Sequence, residues 1–368
     1  MTEVYVLDGN FDILGLIDGF TTLIWTRRYG DVGDFSLHLP GGWLFPLVSG
    51  GRYIYRADTG ESAMIERVAF ERSDNGGSKV IASGRMLEGM LSERIIPYQI
   101  DIKGNAEEAI RQLVANNAIS GTAEAGREIN RLVLGAISGV GKEVDLQFEG
   151  ENLLETILNI CNEQELSIKI GFKLSTNQML FTVWQGKDRT TAQRENSWAI
   201  FSDDFENINA SSYEQDIKEY KNYAYVLGHF EEGGLVMVEV DNRLTDEEER
   251  REIYVDASDV KQVVDEVTIS NEEFFELLKQ KGLESLAEWP MVMDATGDIR
   301  DGGNLIYRQD FDLGDLCEFV DNEVGITSTG RITEVEEVIE NNAVSIRATI
   351  GNSGSTLAKK IIRRERSV

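Results

Sequence analysis

Histidine, cysteine and proline are what this chain has least of: two, two and four among 368 residues. His38 and His229 both fall inside strand-like stretches, with no His-Glu-x-x-His pattern and no second ligand nearby, which argues against a histidine zinc site. They leave little for a Ser-His-Asp or Cys-His engine, and no serine sits in a Gly-x-Ser-x-Gly turn. Cys161 and Cys317 stand far apart without a Cys-x-x-Cys, which speaks against a disulfide scaffold and a thiolate metal site. They are expected as buried free thiols. No run approaches the ~18 apolar residues of a membrane helix. The start, MTEVYVLDGN, carries Glu3 and Asp8 and no basic stretch, so it does not read as a secretory signal. Positive charge is also short. Lys plus Arg number 36 against 65 Asp plus Glu, a formal −29, which argues against gripping nucleic acid through its phosphates. The excess serves solubility by self-repulsion, or a surface that repels a polyanion. Only the last residues are basic, with Lys359, Lys360, Arg363, Arg364 and Arg366: a flexible terminus, or a segment that docks onto an acidic neighbour.

What is plentiful is glycine, 35 residues, many paired or beside Asp or Asn as turn punctuation. Alternating stretches recur between them. EVYVLD, FSLHLP, RYIYRA and SKVIASG read as strands; in FSLHLP, Phe35, Leu37 and Leu39 share one face, as in a half-buried antiparallel strand. Residues 1–100 therefore form an all-β unit. After Pro97 two helices are predicted: NAEEAIRQLVANNA, capped by Asn105 with Glu107 and Glu108 in its first turn, and NLLETILNICNEQEL, entered at Asn152. The strands SIKIGFKL and MLFTVWQG follow, making 101–205 an α+β unit. YAYVLGHF and LVMVEV form a hairpin across Glu231–Gly234. From Asp246 to Trp289 the chain is read as acidic and helical, through TDEEERREIY and a capping box at Ser270 and Glu273, with Gly282 at a helix end. NLIYRQDF, LCEFVD, GRITEVEEVI and VSIRATIG return to strand.

Candidate chemistry is sparse. Gly135–Glu143, GAISGVGKE, resembles a phosphate loop but has Ala136 where the first glycine belongs and Glu143 where Ser or Thr would hold magnesium; it reads as a turn between strands. Asp8, Asn10 and Asp12 have calcium-loop spacing, but Ile13 and Gly19 occupy the required Gly and Glu positions, so an Asx-bonded turn is expected. Asp294, Asp298 and Asp301 lie in a Gly-rich loop without a fixed ligand pattern. Trp43, Trp184, Trp198 and Trp289 are read as buried at sheet seams, or, if exposed on one face, as a carbohydrate-binding platform. No catalytic, cofactor or metal residue is assigned.

One ordered series carries more weight. Trp25, Arg27 and Arg28 precede Gly33-Asp34-Phe35 and a strand. Gly84-Arg85 precedes a Leu-rich turn and Arg94. Asp188-Arg189-Thr190 follows. Phe311-x-Leu313-Gly314-Asp315 then leads through Arg331-Ile332-Thr333-Glu334-Val335 to Gly351. Over nearly the whole chain this series resembles the tail hub proteins of siphophages, the siphovirus tail protein family. These are related in plan to the baseplate hub of contractile phages and to the N-terminal hub of tail-associated lysins. The resemblance implies a mainly β fold with α+β parts: two tail-tube-like β-barrel domains, an α+β domain and a small helical insert. The boundaries expected are 1–100 for the first barrel, 101–205 for the α+β domain, and 206–235 with 300–353 for the second barrel. An acidic helical insert at 236–299 and a basic tail at 354–368 complete the plan.

The resemblance implies a structural homotrimer in the virion tail, at the baseplate or tail tip, without cofactor or enzymatic activity. A trimeric ring would adapt the hexameric tail tube or distal tail protein to a trimeric spike or tail fibre. It would lie next to the tape measure protein and surround a channel through which DNA passes without specific binding. A negative lumen would keep outgoing DNA from adhering. Since the chain stops after RRERSV, a C-terminal lysin module is not expected. The alternatives are a tail-associated cell-wall hydrolase or endopeptidase, then a tail-tip carbohydrate-binding adhesin. Within this plan Gly33 and Gly314 would make sharp turns at positive φ at barrel corners. Asp34 and Asp315 would bond the backbone N–H groups freed there. Phe35 and Leu316 would start strands with one face inward.

Overall fold

The computed structural model describes residues 2–351 except 73–76, 120, 122, 124, 231–232, 244, 246, 259, 265–266, 290, 300–303, 323–325 and 341–342. The expected basic tail, 354–368, and the Asp301 of the Gly-rich loop lie outside the described residues, as does part of the Glu231–Gly234 turn. The fold is mainly β and divides into two compact units: Met1–Ser212 with Ala295–Val368, and Tyr213–Asp294.

In the first unit the largest sheet joins the two ends of the sequence. Its pivot is the 15-residue strand Ile326–Glu340. Along one edge it pairs with Ala343–Gly351. Along the other edge two strands share it: Ile326–Arg331 takes Leu316–Asp321, and Glu334–Glu340 takes Thr22–Arg28. The changeover falls at Ile332–Glu334, where the register with Ala343–Gly351 also shifts. From Thr22–Arg28 the sheet continues antiparallel through Asp34–Pro40, Ser78–Arg85 and Arg67–Arg72. A four-stranded sheet orders Ile13–Ile17, Val4–Leu7, Tyr53–Arg56 and Ser62–Met64.

None of the described sheets closes on itself, so the two expected barrels are not seen as closed cylinders. The pivot strand is shared: its first part pairs with Leu316–Asp321 and its second with Thr22–Arg28, so strands of both expected barrels run on into one open sheet.

Strand periodicity read from the sequence matches burial. Phe35, Leu37 and Leu39 are buried on one face of Asp34–Pro40, with Leu23 and Trp25 on the neighbouring strand. Two strands deviate from expectation. NLIYRQDF is a turn, with Arg308 at φ 66° and its N–H on the Phe311 carbonyl. In Leu316–Asp321 the buried residues are Cys317 and Phe319, so the inward face starts one residue later than Leu316.

Helices α1 (Ala106–Ala118) and α2 (Leu153–Gln164) start where their caps predict. The Asn105 side chain accepts from Glu107 N–H, and Asn152 from Leu154 and Glu155 N–H. Their buried residues, among them Ile110, Leu113, Ile157 and Ile160, join one core with the strands Leu132–Leu134, Ser167–Lys173 and Gln178–Trp184. The hairpin between the last two turns at Asn177, φ 51°.

The second unit is a three-stranded sheet with helix α3 (Asn271–Ala287) packed on one face. Tyr223–His229 lies central, antiparallel to Leu235–Asp241 and parallel to Glu252–Asp256. The helical reading of TDEEERREIY is corrected. Arg251 N–H is held by the Asn222 side chain, and the following residues pair as strand. The capping box at Ser270 and Glu273 is present. Gly282 lies inside α3, not at its end. A Cβ there would stand 2.7 Å from Val240 Cγ2 and 2.8 Å from Val226 Cγ2, so the glycine lets the helix sit close on the sheet.

Candidate functional site

The conspicuous constellation in the first unit gathers at the changeover of the pivot strand. Gly314 N–H donates to the Ile332 carbonyl (2.8 Å) and Ile332 N–H to the Asp315 carbonyl (2.9 Å), while Tyr29 N–H donates to the Thr333 carbonyl (2.8 Å). Thus the turn after Thr22–Arg28 and the turn before Leu316–Asp321 dock on adjacent residues of one strand. Gly314 has φ 83°, and a Cβ would meet Tyr29 Cε2 at 2.4 Å, so both conformation and space require glycine.

Gly33 departs from expectation: its φ is not in the left-handed region, which Gly30 occupies instead (φ 67°). Gly33 is needed for space, since a Cβ would lie 2.3 Å from the Thr26 carbonyl oxygen. Asp315 does bond freed backbone, accepting from Lys187 N–H (2.8 Å) and Asp312 N–H (3.0 Å), and it pairs with Arg189 Nε at 2.5 Å. Asp34 instead pairs with Arg28 at 2.5 Å, and Arg28 reaches Glu334 at 2.7 Å. Arg331 donates to the Gly314 carbonyl (2.6 Å) and to Glu165 (2.8 Å), with its guanidinium 5.2 Å from the Tyr29 ring centre. The motif residues Arg28, Asp34, Asp315, Arg189, Arg331 and Glu334, scattered over three hundred positions, are therefore neighbours through one joint.

Beside this joint lies a buried ion network that the sequence reading missed. Glu61 accepts from Trp25 Nε1 (3.0 Å) and pairs with Arg27 (3.1 Å) and Arg308 (3.1 Å). Glu337 pairs with Arg308 (2.7 Å) and Arg56 (3.0 Å), and Arg27 also reaches Asp312 and the Tyr307 hydroxyl, both at 2.6 Å. Burial alone would push the Glu61 carboxyl up, but Arg27, Arg308 and Lys169 outweigh it and hold it at about 2. Such a carboxylate stays charged and paired, the state of a structural clamp rather than of a proton shuttle. The signal available in the sequence was phase. Arg56 follows Ile54, and Glu337 lies between Val335 and Ile339, each at the inward position of its strand.

A cavity of about 50 Å³ adjoins the network, lined in part by Arg27, Glu61, Ser62, Glu88, Lys169 and Trp184. That is room for a few waters. Glu88 accepts from Ile170 N–H at 2.7 Å. Burial pushes its carboxyl up to about 7, against the pull of that N–H and of Lys169.

The other candidates resolve locally. In Gly135–Glu143 the backbone N–H groups of Ser138, Gly139 and Val140 are bound by the Glu107 carboxylate at 2.7–3.1 Å. An internal anion fills the place a phosphate would take. Asp8 accepts from Asn10 and Asp12 N–H at 2.8 and 2.9 Å, the expected Asx-bonded turn. His38 contacts Ser36 Oγ at 3.0 Å within its own strand. Cys161 and Cys317 are buried, and burial pushes both thiols up, Cys161 to about 12, away from nucleophilic character. Asp294 lies in the strand Val292–Ile299 with Asp298. Among the described residues no group of three or more His, Cys, Asp or Glu is placed to hold a metal. The seam reading fails for two tryptophans: Trp43 is 77% and Trp198 53% exposed.

Comparison with known proteins gives the context of this joint. Residues 3–352 match the family described as siphovirus ReqiPepy6 Gp37-like protein. No curated protein matches the chain. Three solved structures are similar over almost their full lengths. A tail protein from Neisseria meningitidis MC58 has 15% identity and TM-score 0.59, with 96% of this chain and 98% of that one covered. The prophage tail protein gp18 from Listeria monocytogenes EGD-e has 10% identity and TM-score 0.58, covering 99% and 98%. The prophage MuSo2 43 kDa tail protein from Shewanella oneidensis has 12% identity and TM-score 0.59, covering 96% and 99%.

Proposed function

The chain belongs to the siphovirus ReqiPepy6 Gp37-like family of tail proteins, and on that premise we propose that it is a structural hub of the tail rather than an enzyme. The observation that carries the proposal is the likeness to phage tail proteins over 96–99% of the chain. The joint supports it: its charged groups are spent on one another, clamping strands from both ends of the sequence to the Ile326–Glu340 pivot. In this reading the strand-rich parts, 1–100 and 300–353 with 206–212, act as two tube-like domains, 101–205 as an α+β domain, and the compact unit Tyr213–Asp294 as the insert. Three copies form a ring at the baseplate or tail tip, with the two domains of each copy alternating to give six near-equivalent positions. One side meets the tail tube or distal tail protein, the other a trimeric spike or fibre, and the tape measure protein and DNA occupy the axis. The excess of acid, −29, would line the channel and repel DNA.

Native mass measurement with class averages from negative stain tests this. Threefold rings of the 41.2 kDa chain support the hub, and monomers at all concentrations refute it. Higher-resolution reconstruction then checks the lumen: a basic lining would overturn the proposed use of the acidity. One observation favours a second reading, a carbohydrate-binding adhesin. Trp43, Phe45 and Phe70 form an exposed aromatic cluster, of the kind on which sugar rings stack. A glycan array separates the two, since only the adhesin retains a sugar in a Trp43-dependent way.

A further inference from the structure

One face of the second unit's sheet is covered by α3; on the other, exposed apolar side chains stand among charged ones, where a half-solvated sheet is expected to be polar. One face is accounted for: Ala224, Val226, Val240 and Val255 pack against Phe274 and Leu278 of α3. The registers fix what stands on the other. Tyr225 pairs with Glu239 and with Tyr254, and Leu227 with Met237 and Asp256. His229 pairs with Leu235. By strand alternation these side chains share the face turned away from α3. They remain open: Leu235 is 67%, Tyr254 62% and Met237 47% exposed. Large exposed apolar side chains gathered on one face mark an interaction site. Its rim is acidic on balance, with Glu239, Asp241, Glu252 and Asp256 against Arg243, paired with Asp241, and Arg250, over the Tyr223 ring.

We propose that this face receives the basic segment Leu357–Arg366 of a second copy of the chain. The segment is complementary in both respects. It carries Lys359, Lys360, Arg363, Arg364 and Arg366 among the apolar Leu357, Ala358, Ile361 and Ile362, and it is the most basic stretch of a strongly acidic sequence. The acidic rim faces the bases, and the apolar rows take the two isoleucines. Because each copy bears both the face and the segment, the contact is heterologous and links copies in series, closing when they form a ring. The inference does not rest on the hub reading; it holds for any assembly of this chain.

The test uses full-length protein and two variants, Met237→Cys and Ile361→Cys. The native Cys161 and Cys317 are buried, so a short bismaleimide reports the engineered thiols. Mixing the two variants is expected to give a cross-linked species of twice 41.2 kDa. Salt at about 1 M, which shortens the screening length to about 3 Å, should abolish it. Lys359→Glu with Arg363→Glu in the Ile361→Cys chain should abolish it too. Leu235→Cys replaces Met237→Cys if the latter melts below the wild type. Absence of the cross-link in properly folded mixtures overturns the proposal. So does a Met237→Cys/Ile361→Cys double variant that links only within one chain, or a link that salt and charge reversal leave intact.

Discussion

Replacing Glu88 with Gln should stabilise the protein at pH 8 and leave it nearly unchanged at pH 4. Glu88 sits on the 3-10 turn Leu87–Glu93 and accepts from Ile170 N–H at 2.7 Å in the small cavity beside Glu61 and Lys169. Burial raises its carboxyl from 4.5 to about 7. An acid with a raised folded-state pKa binds its proton more tightly when folded than when unfolded. Stability is therefore fully present below about 4.5, declines as the pH rises through 7, and is flat above. Each tenfold change in proton affinity corresponds to about 1.4 kcal/mol, so the charged carboxylate costs up to about 3 kcal/mol at pH 8. That is an upper bound, since Glu88 keeps some surface open to water. Glutamine keeps the shape and the acceptor for Ile170 but carries no charge. The measurement is urea unfolding of wild type and Glu88→Gln at several pH values, followed by tryptophan fluorescence. Other titrating groups are common to both proteins and cancel in the difference. A difference that is the same at pH 4 and pH 8, or a variant less stable at pH 8, would refute the reasoning.

Two further outcomes follow from the joint and its network. Glu61→Gln should cost about 3–5 kcal/mol at neutral pH, because Arg27 and Arg308 lose their shared buried counter-charge. Its pH profile should also differ, since the wild type loses the Glu61 contribution as the pH falls from 4.5 towards 2 and the variant has none to lose; identical acid limbs would contradict this. Gly314→Ala should destabilise by more than the ~1 kcal/mol of a positive-φ penalty alone, because its Cβ also strikes Tyr29 at 2.4 Å. A thermal shift below one degree would show that the joint yields easily.

The sequence by itself determined the local features. The caps at Asn105 and Asn152, the Ser270–Glu273 box, the Asx turn at Asp8 and the alternation of Asp34–Pro40 depend on residues a few positions apart. They are legible because propensity and side-chain period act at that range. The ordered Gly-Asp and Arg motifs also pointed to the family. Only the tertiary structure decided which distant strands meet. Glu337 stands opposite Trp25, Glu61 finds Arg308, and Glu107 binds the backbone of the Gly135–Glu143 turn. Glu107 carries no mark in the sequence beyond its place in a helix's first turn, and its partners are chosen by where that helix packs. Likewise Gly33 and Gly314 look alike as Gly-Asp pairs, yet one is set by a carbonyl at 2.3 Å and the other by φ 83°. Register between strands far apart in the chain is a property of the packed core, because no local interaction carries information across that distance.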